Sequence, residues 1–251
     1  MTIRVYSLWR HPIKSHGRER LEQVTLTAGQ TFPFDRHWAL LHAKSKLDPA
    51  APEWMACRNF VIGAVNAASA GTWAELDEDT QTLTLQHAAL GEITLQPDDP
   101  ADQARLIDWI NQLELPTPAT GIAPHVPGRG YTDDSQPTVT LMNMASHAAV
   151  EGAHGAPLEL ERWRGNIWVD GAAPWAEFDW IDRDIQIGTA VIRPHKRTAR
   201  CKHTMANPRS GTRDVDTLTI LHQTFGHRDF GVAGVVVQSG HVAVGDSVQV
   251  L

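Results

Sequence analysis

Residues 184–201, DIQIGTAVIRPHKRTARC, read as a strand, a glycine turn, a second strand and an arrival at Cys201. The flanking sequence repeats the pattern. Downstream, GVAGVVVQ (231–238) is followed by a Ser-Gly turn and HVAVGDSVQVL (241–251), where a Gly-Asp pair inside alternating apolar residues signals another turn. Upstream, NIWVDG (166–171) is a strand ended by Gly171, and TVTLMNM (138–144) reads as a buried strand leading into a short helix over Ala145–Glu151.

The first 98 residues follow the same grammar. IRVYSLW (3–9), LEQVTLT (21–27), HWALLH (37–42), RNFVIGAVNAA (58–68), TWAELDED (72–79), QTLTLQ (81–86) and GEITLQP (91–97) are strand-like pieces divided by turn residues. Many short strands at close spacing predict a small barrel or curled sheet. The pattern breaks at PDDPADQARLIDWINQLEL (97–115), where Leu106, Ile107, Ile110 and Leu113 form an apolar stripe at helical spacing. PTPATGIAPHVPGRGYTDDSQP (116–137) reads as a long surface loop. The expectation is a mostly β chain with few helices, divided near residue 98 into a smaller unit (1–98) and a larger one (99–251).

With 42% apolar residues the 251-residue chain has ample material for a core. Twenty-two basic against 29 acidic residues leave −7 at pH 7, which argues against nucleic acid as a partner while permitting a local basic pocket. Cys57 and Cys201 are the two cysteines, too few for a disulfide scaffold, an all-cysteine zinc site or a fully cysteine-ligated iron–sulfur cluster. No apolar run approaches the length of a membrane span, and no signal-peptide core opens the chain. The expected location is cytoplasmic.

Cys201 stands in HKRTARCKHTMANPRSGTRD (195–214), surrounded by Lys196, Arg197, Arg200, Lys202 and Arg209 and flanked by His195 and His203. Positive surroundings favour thiolate, which is both a nucleophile and a soft-metal ligand; a packed core cysteine is the other reading. Cys57, in apolar company, reads as a packing or loop residue. HPIKSHGRERL (11–21) places Lys14, Ser15, His16 and Arg18 on a loop suited to a phosphate or to plain solvation. Asp35–Arg36 is either an ordinary pair or a guanidinium offered to a phosphate. Arg164 and Asn166, just before a strand, face a ligand or cap a loop. His227 in FGHRDFG (225–231) reads as structural. The HExxH, CxxC, GxGxxG, GxxxxGK[ST] and GxSxG patterns do not occur.

Taken in order, HPIKS (11–15), FDRHWAL (34–40), WRGNIWVDGAAPWAEFDW (163–180), IGTAVIRPHKRTARCKHTMANPRSG (187–211) and FGVAGVVVQSGHVAVGDSVQV (230–250) resemble the MOSC family with its N-terminal β-barrel domain, which includes the mitochondrial amidoxime-reducing component and its bacterial relatives. The resemblance implies a β-barrel MOSC domain over 99–251 behind a smaller N-terminal β-barrel domain over 1–98. It implies a molybdenum–molybdopterin cofactor, with Cys201 as metal ligand and Lys14, Ser15, Arg18 and Arg36 near the pterin phosphate. Arg164, Asn166, Thr198 and Arg200 would line the pocket, with Thr198 serving where relatives carry a serine at the position of Ala199. The implied activity is reduction of N-hydroxylated or N-oxide compounds, with His203 and His195 as candidate proton donors. Electrons would come from a separate ferredoxin, flavoprotein or haem protein. The alternative is a non-catalytic carrier of cofactor, or of sulfur as a persulfide on Cys201. Gly165 replaces the family's usual proline, and that exchange is expected to loosen the approach to Asn166.

Overall fold

The computed structural model describes residues 2–251. Chain order begins with β1 (Ile3–Arg10), β2 (Glu19–Leu21), β3 (Gln23–Leu26) and β4 (Ala39–Leu41). A meander follows: β5 (Thr72–Asp77), β6 (Thr82–His87) and β7 (Gly91–Leu95). Helix α1 (Pro100–Asn111) and β8 (Gly121–Ala123) lead to β9 (Val139–Asn143), α2 (Met144–His154) and β10 (Ile167–Asp170). The chain ends with β11 (Ile185–Ile187), β12 (Ala190–Ala199), α3 (Thr217–Phe225), β13 (Asp229–Gln238), β14 (Gly240–Ala243) and β15 (Ser247–Val250).

The neighbour order β1-β10-β9-β13-β12-β11-β15 returns to β1 and closes a barrel. Closure leaves these strands no free edge, so their backbone donors and acceptors meet inside the ring. The β9–β10 pair is parallel, Ile167 opposite Leu141, and the other ring pairs are antiparallel. Period-two alternation turns Val5, Leu141, Ile167, Val169, Ile185, Ile187, Ile192, Val232 and Val236 inward as one apolar cluster. Each such side chain stabilises the fold by roughly 1.5–3 kcal/mol on burial.

Strand β1 thus belongs to the ring built by the C-terminal strands, although it lies far before residue 98 in the chain. The smaller unit comprises the β5–β6–β7 meander, the β4–β8 pair and α1 around a second core of Trp38, Leu76, Leu83, Leu85, Leu106, Trp109 and Ile110. Asp99 caps α1 by accepting from Ala101 N at 2.8 Å, ahead of Pro100.

Three segments differ from the patterning. RNFVIGAVNAA is not a strand: it carries 3₁₀ turns at Cys57–Asn59 and Ala67–Gly71. Here Asn59 Oδ1 accepts from Lys46 N, Asn66 Oδ1 accepts from Thr117 N and Ser69 Oγ donates to Asn66 O, so side chains take the place of a ladder. The loop 116–137 contains β8, paired with β4. Helix α3 is an element the patterning leaves unassigned; Asp216 caps its start and Gly226, at φ +77°, its end.

Strand β12 carries the feature that builds the site. Its register against β13 shifts three times, once between Val191 and Ile192 and, toward the site, twice more, between Pro194 and Lys196 and between Arg197 and Ala199. A regular strand sends consecutive side chains to opposite faces, and such irregularities re-aim them.

Candidate functional site

A cleft of about 310 Å³ opens where the end of β12 meets the loops before β1's partners, lined by Arg36, Asp133, Asp134, Arg164, Asn166 and the consecutive run Lys196–Arg200. That volume lies at the lower end of small-molecule sites. Five successive residues reach one cleft because of the last two shifts in β12.

Backbone placement brings the remaining pieces together. Arg36 N donates to His11 O at 2.6 Å, and Tyr131 N donates to Arg36 O at 2.8 Å. Arg36 Nη2 donates to Arg164 O at 2.9 Å. Arg164 Nη1 donates to Gly17 O at 3.0 Å and its Nη2 to Ile13 O at 3.4 Å. The loop containing HPIKS is therefore fastened to the cleft through Arg164.

Asn166 is held on three sides. Its Oδ1 accepts from Thr140 N at 3.1 Å and from Thr140 Oγ1 at 2.9 Å, and its Nδ2 donates to Trp9 O at 3.3 Å. Gly165 does not loosen this approach. A Cβ at 165 would overlap Met142 Cγ, so the missing side chain lets Met142 pack tightly beneath the backbone. Met142 in turn sits 3.4 Å from Arg200 Nη2 through its sulfur. The other Arg200 nitrogens donate to Phe230 O and Trp163 O at 2.9 and 2.8 Å, which lays the guanidinium beside the stacked Trp163–Phe230 pair.

Cys201 is the residue after this lining, exposed, unbridged, and extended at φ −116° just beyond β12. The surrounding protein, with Asp133 and Cys57 adding to it, raises the thiol pKa against the pull of the His203 backbone amide and Arg200. The basic neighbourhood read from the sequence does not prevail, because desolvation by the surrounding protein outweighs the pull of Arg200. His203 is half-buried with its ring pressed on the Cα of Gly63, and burial together with Arg164 holds its pKa well below the ordinary histidine value. His195 Nε2 meets Asp134 Oδ2 at 2.8 Å.

Beneath the cleft, Lys14 Nζ donates to Tyr131 O at 2.8 Å and to Asp133 Oδ1 at 2.5 Å. Desolvation by the surrounding protein pushes the Asp133 carboxyl up, and Lys14, Arg36 and His203 outweigh it, so the group lies below its usual range. Ser15 is buried at a left-handed turn, φ +66°. Arg18 turns away: it donates to Ala70 O, Thr72 O and Pro208 O and stacks 4.0 Å from the Trp73 ring centroid. The structure thus gathers Arg36, Arg164, Asn166, Thr198 and Arg200 on one cleft with Cys201 next in line, sets Lys14 below it through Asp133, and commits Arg18 to holding loops together.

Asp133 and Asp134 were not singled out by the sequence reading. Their signal is the adjacent carboxylate pair in a loop rich in Pro and Gly, placed against a chain segment dense in Arg and Lys. Oppositely charged blocks with no partner of their own are candidates for each other.

The architecture is a closed β-barrel with a cationic cleft at the end of one strand and the exposed Cys201 one residue beyond the cleft lining. Residues 129–249 match the MOSC domain and residues 2–51 match the MOSC N-terminal beta barrel domain, and the chain belongs to the MOSC family. Its fold is the mostly β MOSC-type barrel with a smaller N-terminal β-barrel domain and a few helices. Among solved structures it is similar to the YUAD protein from Bacillus subtilis, at 12% identity and a TM-score of 0.50 over 100% of this chain and 96% of that one. YiiM from Geobacillus stearothermophilus aligns at 13% identity and a TM-score of 0.34, over 45% and 53% of the two chains. No curated protein matches the chain. The family is linked to molybdenum-cofactor chemistry, and no helix is long and apolar enough to cross a membrane among the described residues.

Proposed function

We propose that the protein is a molybdenum cofactor-dependent reductase of N-hydroxylated or N-oxide compounds, supplied with electrons by a separate protein. The observation that carries this reading is the position of Cys201, an exposed thiol one residue beyond a cleft lined by Arg36, Arg164 and Arg200. The residues present fit such a cofactor. Among the described residues no group of three or more His, Cys, Asp or Glu is arranged to hold a metal ion. A metal at Cys201 therefore needs its remaining ligands from the molecule that carries it, as a dithiolene-bound metal does. The buried Thr198 Oγ1, which has no hydrogen-bond partner, is a group a polar ligand would satisfy, and the Lys14 ammonium, now held by Tyr131 O and Asp133, is a cation that suits a phosphate.

In this reading Cys201 holds the metal, Lys14, Ser15 and Arg36 face the pterin phosphate, and Arg164, Asn166, Thr198 and Arg200 line the pterin. The bound cofactor supplies two-electron oxygen-transfer chemistry. The chain supplies a fixed cationic wall, since Arg164 and Arg200 are each tied to two backbone carbonyls and cannot swing. Burial and Arg164 hold the His203 imidazole below the ordinary histidine pKa, and it is the His203 backbone amide that reaches the Cys201 thiol. Two free cysteines hold no iron–sulfur cluster in this chain, which is why the electrons come from a partner.

The test is metal and pterin content of freshly purified protein beside Cys201→Ser. About one molybdenum and one pterin per chain, with molybdenum lost in the variant and N-hydroxylated substrate reduced by the parent, is the expected result. Folded protein that stays empty after incubation with the cofactor overturns it, and sulfane sulfur on Cys201 without molybdenum points instead to a carrier.

A further inference from the structure

The more exposed of the two cleft carboxylates sits on a buried cation beneath the cleft. The Lys14 side chain is 4% exposed, and the Asp133 side chain that meets it is 77% exposed. Lys14 has two other neighbours of note, Tyr131 O at 2.8 Å and the Phe60 ring at 5.8 Å, neither of which carries a charge. An ammonium withdrawn from water requires an anion, and here Asp133 provides it.

The backbone around Asp133 is pinned while its carboxylate is not. Tyr131 N donates to Arg36 O at 2.8 Å, and Trp54 Nε1 donates to Thr132 O at 2.8 Å. Arg129 donates to Asp134 O at 2.9 Å and to Ser135 O at 2.8 Å. The side chain of Asp134 is fixed by His195 at 2.8 Å and Lys196 at 2.9 Å. Asp133 has one side-chain partner among the described residues, Lys14, so rotating its side chain frees the ammonium without moving the loop.

We infer that Asp133 is a built-in counter-ion, occupying Lys14 in the empty protein and displaced by the phosphate of an incoming phosphomonoester. A phosphomonoester brings up to two negative charges and three acceptor oxygens where the carboxylate brings one charge and two oxygens. It would therefore keep Lys14 compensated and still have acceptors for Arg36, on the same cleft. The identity of the natural ligand rests on the cofactor reading above; the exchange of counter-ions does not.

The experiment uses the full chain from a host unable to make the molybdenum cofactor, titrated calorimetrically with inorganic phosphate. Asp133→Asn is expected to bind phosphate at least tenfold more tightly than the parent, and Asp133→Glu, which keeps the charge, to resemble the parent. Asp134→Asn makes the same change in net charge at a carboxylate anchored elsewhere, and is expected to show no such gain. Thermal melts follow the same exchange: Asp133→Asn melts lower without phosphate and recovers more with it than the parent does, as mass action requires. Unchanged or weaker phosphate binding by Asp133→Asn overturns the inference, and so does an equal gain in Asp134→Asn, which would be a general charge effect. Cofactor released from another molybdenum enzyme, followed by pterin fluorescence, is the second ligand. The same order of variants assigns the phosphate to the cofactor. A gain with inorganic phosphate and none with the cofactor upholds the exchange and overturns the cofactor as its source.

Discussion

Arg36 and Arg164 form one wall of the cleft through a bond between them: Arg36 Nη2 donates to the Arg164 carbonyl at 2.9 Å, and both residues hold left-handed backbone, φ +52° and +49°. Like charges are brought together because each guanidinium answers something else, Arg36 the Asp35 carboxylate and Arg164 the carbonyls of Gly17 and Ile13. Burial and Arg36 depress the Arg164 pKa, so this pair stores positive field that an anionic ligand would relieve.

Arg164→Met is therefore expected to leave the Gly17 carbonyl without its side-chain donor, while Ile13 O still accepts from His16 N, and to lower stability by about 1–3 kcal/mol. It also removes a positive charge that holds His11, His16 and His203 down. Denaturant melts and histidine NMR titrations check both effects; histidine pKa values that do not rise refute the electrostatic part.

Acid is expected to unfold this protein earlier than carboxylates alone would require. His11 and His16 are 1% exposed, and burial lowers their pKa values to about 3 and about 4. A histidine whose folded pKa is depressed binds its proton more readily when unfolded, so stability falls as pH drops below about 6.5 toward those values. At pH 5 each contributes a loss on the order of 2 kcal/mol. Asp35 adds a later loss: burial pushes it up, Arg36 and His11 outweigh that, and the resulting low pKa places its contribution below the usual carboxylate range. Urea melts between pH 7 and 4.5 measure the slope, which His11→Gln is expected to reduce.

Glu177 behaves in the opposite sense. It is fully buried, its Oε2 accepts from Asn143 Nδ2 and Ser146 Oγ at 2.8 and 2.9 Å, and its Oε1 has no partner. Burial raises its pKa, so the stability it lends is present below the unfolded value and is lost as pH rises through the folded one. Glu177→Gln is expected to gain about 1 kcal/mol at pH 7 and nothing at pH 4. A gain of equal size at both pH values would point to packing instead.

Gly165→Ala places a methyl group on Met142. Overpacking of this kind costs about 1–3 kcal/mol. Because Met142 Sδ touches Arg200, whose carbonyl bonds set the residue before Cys201, cofactor content is expected to fall together with the melting temperature. Met142→Ala in the Gly165→Ala background relieves the overlap and is expected to restore part of the content.

The elements of the barrel were legible where local alternation and tertiary burial agree, as in Ile185–Ile192 and Val232–Val236. They were illegible where side chains replace the ladder, at Asn59 and Asn66, and where a short nine-residue helix, α3, is set by its caps and by the packing of Leu221. For the site, Cys201, Arg36, Arg164, Asn166 and Thr198 were visible as residue types in ordered motifs. Arg18 was visible too, yet its guanidinium is consumed by Ala70 O, Thr72 O and Pro208 O, carbonyls remote in sequence.

What the sequence by itself determined is the alternation that turns one face of each strand inward, the ordered motifs that mark the family, and the single cysteine in a basic run. These are local properties, carried by spacing and residue type. Only the tertiary structure decided which cations remain available. The last two shifts in β12 turn Lys196–Arg200 into one cleft, Asp133 arrives from a loop more than a hundred residues from Lys14 to neutralise it, and crowding raises the Cys201 thiol that its basic neighbours alone would lower. Charge and desolvation act through space, and no pattern along the chain measures distance through space.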